Sequence, residues 1–179
     1  MRKVAIFGNA GGGKSTLARK LAEITNLPLY PLDLIKYLPG GEEVSQEEYR
    51  DKHRQLLNEE KWIIDGFGDV TTAWERFGEA DTLVYIDLPL YRHAWWVTKR
   101  LFTGLFITPE GWPANSPILR GSWNSYRVLW LCHRHLTPRY RQLVSSVVSD
   151  PASTKRAYHL KSASDIRAML RVVQDEFNG

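Results

Sequence analysis

Short apolar runs and longer stretches with a helical repeat follow one another along the chain. The apolar runs predict five buried strands, at residues 3–7, 27–31, 61–65, 81–87 and 155–160. Apolar residues that recur every three or four positions predict helices at residues 15–25, 45–59, 73–78, 91–102, 123–135, from 138 onward and 164–177. Strands that alternate with helices are typical of a parallel sheet covered on both faces, and right-handed crossovers make such a sheet doubly wound.

Several helix ends carry their own signals. Ser45 and Glu48 have the spacing of a capping box, in which each side chain satisfies an exposed N–H group of the helix. Ser122 is predicted to cap the helix at 123–135, and Ser162 or Ser164 the last helix. Residues 104–121 are rich in proline and glycine, as expected of a binding loop or lid. We therefore expect one domain over residues 1–179, with a lid-like insertion at about 103–122.

A glycine-rich motif lies between the first strand and the first helix. It matches the phosphate-binding pattern G-x-x-x-x-G-K-[ST] at every position, and its residues are Gly8, Asn9, Ala10, Gly11, Gly12, Gly13, Lys14 and Ser15. Its glycines let backbone N–H groups surround a phosphate, and Thr16 follows in the first turn of the helix. Lys14 is predicted to reach the β- and γ-phosphates, and Ser15 to offer its hydroxyl to Mg²⁺. The motif predicts a nucleoside triphosphate site.

Composition narrows the class of protein. The 179 residues carry a formal net charge of +4, which suits a phosphorylated ligand but is too small and dispersed to indicate nucleic acid. Cys132 is the only cysteine, so no intrachain disulfide forms, and we expect a cytoplasmic location. No membrane span is expected, because the longest apolar stretches are far too short to cross a bilayer. No secretory signal is expected, because the first strand leads directly into the glycine-rich motif. The sequence gives no indication of the oligomeric state of the protein.

Tryptophan is unusually frequent, with seven residues, most of them between Trp95 and Trp130. One interpretation is an aromatic core. The other is that part of this group closes over a ligand.

Three aspartates follow predicted strands, at the edge of the sheet where ligands of parallel sheets bind. Asp65 precedes Gly66 and is predicted to hold Mg²⁺ directly or through water, with capping of the next segment as the alternative. Asp33 is predicted to accept a proton from, or to orient, the group that receives phosphate, again with helix capping as the alternative. Asp87 is assigned a structural role.

Phosphoryl transfer requires positive charge around the moving group, and arginine binds phosphate oxygens in a planar fork. The lid and its flanks offer eight candidates: Arg92, Lys99, Arg100, Arg120, Arg127, Arg134, Arg139 and Arg141. Arg127 and Arg134 are seven positions apart and share a helix face. We expect Arg120, Arg127 and Arg134 to contribute first.

Together these segments resemble the adenylate-kinase-like P-loop kinases. The resemblance rests on residues 8–15, Asp33, residues 62–66 and residues 81–89, and it is strongest to the bacterial DNA topology modulation or adenylate-kinase-related proteins. It implies a three-layer α/β fold with a five-stranded parallel sheet of order 2-3-1-4-5, a mobile lid, and ATP with Mg²⁺ as donor. It also implies that Asp33 is the acceptor-side aspartate, and that Asp65 and Gly66 are the Asp-Gly pair after the third strand.

One departure concerns the acceptor. Adenylate kinases continue the Asp-Gly pair as Phe-Pro-Arg, whereas this chain reads Phe67, Gly68 and Asp69, which disfavours AMP. Arg76 is a candidate for the missing charge, with an ordinary surface role as the alternative.

The sequence therefore predicts a kinase that moves the γ-phosphate of ATP to a nucleotide or another small molecule. The alternative is a nucleotide-dependent ATPase or regulator without a small-molecule acceptor.

Overall fold

The computed structural model describes residues 1–39, 41–104 and 118–178. Its five strands are β1 Lys3–Gly8, β2 Leu29–Pro31, β3 Trp62–Asp65, β4 Thr82–Ile86 and β5 Arg156–Leu160. All pair in parallel in the order β2-β3-β1-β4-β5, with β1 in the centre of the sheet. The fold class and the strand order expected from the sequence are confirmed.

Helices connect the strands. Their bounds are α1 Lys14–Thr25, α2 Asp33–Lys36, α3 Gln46–Asn58, α4 Val70–Glu79, α5 Leu90–Gly104, α6 Ile118–His135, α7 Thr137–Ser149 and α8 Ala163–Asn178. None of the helices within the described ranges combines the length and the apolar character that a bilayer crossing requires.

Side chains of β1 alternate between two hydrophobic cores because successive residues of a strand point to opposite faces. On one face Phe7 packs against Phe77, Tyr85 and Tyr140, with its ring centroid 4.3 Å from that of Phe77. On the other face Ile6 packs in a core with residues of α1 and α8, including Leu17, Leu21 and Val173. The sheet is therefore covered on both sides, which holds β1 and the turn that follows it rigid.

Two helices begin earlier than the sequence indicates. α4 starts at Val70 rather than at residue 73, because Asp69 caps it: the Asp69 carboxylate accepts a hydrogen bond from the Thr72 amide at 3.0 Å. α6 starts at Ile118 rather than at residue 123, so Ser122 lies within the helix and does not cap it. Residues 118–122 are therefore helical, and the centre of the expected lid, residues 105–117, lies outside the described part of the chain.

Two of the three predicted serine caps are present, and among the described residues the capping box at Ser45 is only half formed. The Ser45 hydroxyl accepts from the Glu48 amide at 3.1 Å, while the Glu48 carboxylate accepts from Lys52 at 2.8 Å. At the last helix, Ser162 accepts from the Asp165 amide at 3.2 Å, which selects it over Ser164 as the cap.

Candidate active site

The glycine-rich motif forms the turn between the central strand and α1. Gly8, Gly11 and Gly13 have positive φ angles of 141°, 69° and 77°. Gly8 also lies so close to the Ile86 carbonyl of β4 that a Cβ would overlap it. Gly13 is the N-cap of α1 and provides no side-chain cap, so the first N–H groups of the helix face this turn. A helix N-terminus of this kind attracts phosphate.

Residues of α5 and α6 form hydrogen bonds with the glycine-rich turn. The Lys14 ammonium donates to the Asn9 carbonyl at 2.9 Å, and the Asn9 side-chain amide donates to the Leu129 carbonyl of α6 at 3.3 Å. His93 of α5 is buried and its Nδ1 lies 2.9 Å from the Ala10 carbonyl, so Nδ1 donates. Burial lowers the pKa of His93 despite this hydrogen bond. The turn is thus fixed by α5 and α6 as well as by its own glycines.

A cleft of about 790 Å³ opens beside the turn, between α1, α5 and α8. Residues 11–16 of the turn line one side, and the other lining residues are Leu17, Lys20, Leu88, Arg92, Trp96, Lys99, Ala163, Ile166, Arg167 and Leu170. The Lys99 ammonium lies 5.0 Å from the centroid of the Trp96 ring. Cationic side chains around an apolar floor suit a ligand with a phosphate part and a planar apolar part.

Two of the predicted carboxylates lie at the ends of β2 and β3, on the opposite side of β1 from β4 and β5. Asp65 ends β3, pairs in register with Ile6 of β1 and Pro31 of β2, and is 4% exposed. Asp33 is the exposed first residue of α2, and the preceding Leu32 amide donates to the Asp65 carbonyl at 2.8 Å. Both aspartates therefore lie at the carboxyl edge of neighbouring strands, next to the strand that carries the glycine-rich turn.

Neither aspartate occupies the N-cap position of the helix that follows it. Asp69, not Asp65, is the N-cap of α4, and Leu32, not Asp33, occupies the N-cap position of α2. Asp69 stands where adenylate kinases have an acceptor-binding arginine, and in this chain it serves the helix instead.

Arg76 is not a surface residue. It is 0% exposed and donates through Nη2 to the carbonyls of Gly66, at 2.9 Å, and Phe67, at 3.4 Å. Its Nη1 lies 3.4 Å from Nε2 of His53, which is also 0% exposed. Because Arg76 is enclosed, it holds the loop after Asp65 and does not extend toward a ligand.

Asp87 has the structural role expected of it. Arg141 donates to its two oxygens at 2.7 and 3.0 Å, and His159 Nε2 lies 2.8 Å from Oδ2. Burial raises the pKa of Asp87, but the hydrogen bonds from Arg141 and His159 outweigh it and hold the pKa below its usual value. The cluster joins the ends of β4 and β5 to α7.

The predicted arginines have different surroundings. Arg92 and Lys99 line the cleft. Arg127 and Arg134 are exposed on α6, about 160° and 140° around the helix from Leu129, a buried residue whose carbonyl accepts a hydrogen bond from Asn9. For Arg120, the structure describes only the helical backbone. The roles of Arg120, Arg127 and Arg134 therefore stay predictions.

Sequence reasoning missed several lining residues. His93 and Arg167 belong to no motif, and only their register on α5 and α8 brings them to the turn and the cleft. The described tryptophans have different environments. Trp62 is 0% exposed in the core, Trp96 lines the cleft, and Trp95 and Trp130 are 65% and 56% exposed. A purely aromatic core is therefore the wrong interpretation for the described tryptophans as a group.

His53 gives the protein a pH-dependent stability. Burial, followed by the charge of Arg76, lowers the pKa of His53 to about 4. In the unfolded chain the pKa is about 6.5, so below that pH the unfolded state binds more protons. The free energy of unfolding is therefore expected to fall as the pH drops from 6.5 toward 4, by up to about 1.4 kcal/mol per pH unit.

Urea unfolding of wild type and His53→Gln, followed by tryptophan fluorescence between pH 4.5 and 7.5, measures this contribution. The variant is expected to show a smaller loss of stability over that range, and His135→Gln, an exposed control, to match wild type. Equal slopes in all three proteins would show that His53 does not titrate in this way.

Comparison with known proteins gives the class of fold. A shikimate kinase from Acinetobacter baumannii, in complex with shikimate, superposes on this chain with a TM-score of 0.58 at 16% sequence identity. The match covers 98% of this chain and 92% of the shikimate kinase chain. A deoxyadenosine kinase from M. mycoides covers 98% of this chain and 97% of its own, with a TM-score of 0.48 at 16% identity. A sugar kinase from Janibacter covers 98% and 91%, with a TM-score of 0.48 at 14% identity. No protein-family model and no curated protein matches the sequence. The chain has a kinase-like P-loop fold.

Proposed function

We propose that this protein transfers the γ-phosphoryl group of ATP to the hydroxyl or phosphate oxygen of a small acceptor molecule. The observation that carries the proposal is the position of Asp33 and Asp65 at the edge of β2 and β3, beside the glycine-rich turn on β1. A triphosphate in that turn would have carboxylates on one side of it and the cationic cleft on the other. That is the arrangement that phosphoryl transfer requires, because its catalysis is mainly positioning and electrostatic stabilisation.

On the donor side, residues 8–16 and the N-terminus of α1 bind the phosphates, with Lys14 as the charge nearest the transferred group. Lys20, Arg92, Lys99 and Arg167 surround the remainder of the nucleotide, and Trp96 offers a ring face to its base. Ser15 and Asp65 offer oxygen ligands of the kind that Mg²⁺ prefers. When bound, Mg²⁺ supplies charge neutralisation for the phosphate oxygens.

On the acceptor side, Asp33 orients the attacking oxygen and accepts its proton if that oxygen is a hydroxyl. Its exposure at the first residue of α2 leaves the carboxylate accessible to a small molecule. Arg120, Arg127 and Arg134 of α6 stay in the proposal as candidate charges for the phosphates, although Arg127 and Arg134 are exposed on the side of α6 away from Leu129.

An acceptor screen tests the proposal. Purified protein is incubated with ATP and Mg²⁺ and with nucleosides, nucleotides, sugars or hydroxy acids, and ADP and phosphorylated product are both measured. One class of acceptor is expected to stimulate ADP formation with equimolar product. ADP formation at one slow rate, whatever the acceptor, would indicate an ATPase and contradict the kinase assignment.

Asp33→Asn is expected to lower kcat with the identified acceptor by about 10²- to 10⁴-fold, the usual contribution of a general base. The affinity for ATP should be unchanged, because Asp33 lies on the acceptor side of the turn. Steady-state kinetics with both substrates varied gives the two constants separately.

Asp51→Asn is a matched control, since Asp51 is an exposed aspartate of α3 that pairs with Arg54. If Asp33→Asn retains the wild-type kcat, or if both variants lose the same activity, Asp33 has no specific part in the reaction.

A further inference from the structure

The loop that follows Asp65 is held from inside the protein. Gly66 and Gly68 have φ angles of 121° and 69°, and a Cβ on Gly66 would lie 3.1 Å from the Cβ of Leu32, the residue before Asp33. The loop therefore packs directly against the segment that carries the proposed acceptor-side carboxylate. A Cβ on Gly68 would overlap the Tyr49 hydroxyl, so the loop also rests on α3.

Two side-chain pairs connect α3 and α4 beneath this loop. The Tyr49 hydroxyl lies 3.3 Å from the Thr72 hydroxyl, and His53 Nε2 lies 3.4 Å from Arg76 Nη1. The partners in each pair are 23 positions apart, and the pairs are one helical turn apart on both helices. The two helices therefore run side by side in the same direction, joined by two successive polar contacts.

The buried guanidinium of Arg76 lowers the stability of the protein relative to an apolar side chain at the same position. Its guanidinium is completely buried, it donates only to carbonyl and imidazole acceptors, and its Nε has no hydrogen-bond partner within the described chain. Burial lowers the pKa of Arg76, and the partly compensating charges of Asp65 and Asp69 raise it. A cation buried without a paired carboxylate costs stability, and an apolar side chain would fill the space at lower cost. Stability alone therefore does not account for an arginine here.

The hydrogen bonds of Arg76 fix the direction of two peptide groups. It binds the carbonyls of Gly66 and Phe67, and in a trans peptide the N–H group points opposite to the carbonyl. The N–H groups of Phe67 and Gly68 therefore point away from the guanidinium. These two N–H groups are neighbouring hydrogen-bond donors. The carbonyl of each of the two peptide groups is bound by the guanidinium of Arg76.

We propose that Arg76 is a positioning residue of the acceptor site, acting through the peptide groups of Gly66–Phe67 and Phe67–Gly68. It does not touch the acceptor, and its contribution is to hold two N–H donors in fixed directions in the loop that packs against Leu32, the residue before Asp33. This role of Arg76 rests on the proposed function. It means that the affinity for the acceptor depends on a residue that is buried away from solvent. ATP affinity is expected to change little, because neither Arg76 nor residues 66–68 are among the described residues that line the cleft.

The test compares Arg76→Met, Arg76→Lys and wild type, with Arg54→Met as the control. Arg54 is an exposed arginine of α3, one position from His53, that pairs with Asp51. Hydrogen–deuterium exchange of peptides covering residues 66–69 and residues 8–20 is measured without ligand. KM is then measured for ATP and for the acceptor found in the screen.

Arg76→Met is expected to speed exchange at residues 66–69 without changing residues 8–20. It should raise the acceptor KM by about 10- to 100-fold, as small displacements of positioning groups do, while the ATP KM stays unchanged. Arg76→Lys keeps the charge but loses the planar fork, so partial recovery of both readouts is expected. Arg54→Met should behave as wild type.

Two results would overturn the proposal: exchange at residues 66–69 that is unchanged in Arg76→Met, or faster exchange throughout the chain in both Arg76 variants. If no acceptor is phosphorylated by wild type, the proposed function fails, and the exchange result still decides whether Arg76 holds the loop. If Arg76→Met does not fold, Arg76→Lys provides the comparison.

Discussion

Lys14→Ala is expected to reduce kcat/KM for ATP by about 10²- to 10³-fold, the typical effect of removing one electrostatic donor to a developing charge. Lys14 opens α1 directly after Gly13, where the helix N-terminus faces the phosphate site. One hydrogen bond of its ammonium is to the Asn9 carbonyl, at 2.9 Å. Losing a hydrogen bond of this kind costs about 1 kcal/mol of stability. We expect the variant to fold, because the two hydrophobic cores of the sheet do not include Lys14.

Isothermal titration with MgATP and steady-state kinetics measure this effect, and circular dichroism verifies the fold. Lys52→Ala is the control, because Lys52 is a half-exposed lysine of α3 that pairs with Glu48. A Lys14→Ala protein that binds and turns over ATP like wild type would exclude the glycine-rich turn as the triphosphate site.

Asp65→Asn is expected to lower turnover by about 10²-fold and to raise the Mg²⁺ concentration needed for half-maximal rate, because the loss of a carboxylate near a metal typically weakens the site by one to two orders of magnitude. Asp65 is 4% exposed at the end of β3, and asparagine has nearly the same shape. The substitution therefore removes charge without removing volume. Turnover measured across a Mg²⁺ titration separates weaker metal binding from loss of chemistry.

Asp69→Asn is the matched control for Asp65→Asn, four positions along the same loop. Asp69 caps α4, and asparagine caps a helix about as well as aspartate. Its Mg²⁺ dependence should therefore equal that of wild type. An unchanged Mg²⁺ requirement in Asp65→Asn would remove Asp65 from the metal site.

The sequence predicts most of the fold because the fold depends on regular patterns. The buried strands are nearly continuous apolar runs, and β1 passes directly into a complete phosphate-binding motif, so strand, turn and helix follow in order. The early starts of α4 and α6 were not predicted. Asp69 is not predicted as an N-cap because its capping box is completed by a Thr72 side chain rather than by the usual Glu or Gln. Gly121 is interpreted as a helix breaker, but α6 continues through it.

The candidate site is predictable only where the chemistry lies in contiguous residues. Residues 8–16 are adjacent in sequence, and Asp33 and Asp65 follow strands, so their common edge can be inferred. Burial of Arg76 cannot be inferred, because an isolated arginine in a helix is usually exposed and its partners are backbone carbonyls. His93 also contacts a backbone carbonyl, which leaves no signature in the sequence.

The strand order has a consequence for how this protein can change. β1 and its turn lie at the centre, with β3 and β2 on one side and β4 and β5 on the other. The proposed acceptor-side residues follow β2 and β3, and the cleft residues outside the turn come from α1, from the end of β4 into α5 and from α8. Under the proposed function, acceptor choice and nucleotide choice would depend on different stretches of the chain, with Asp65 as the exception. Substitutions between residues 32 and 76 that keep Asp65 are then expected to change the acceptor while leaving the residues of the triphosphate site in place.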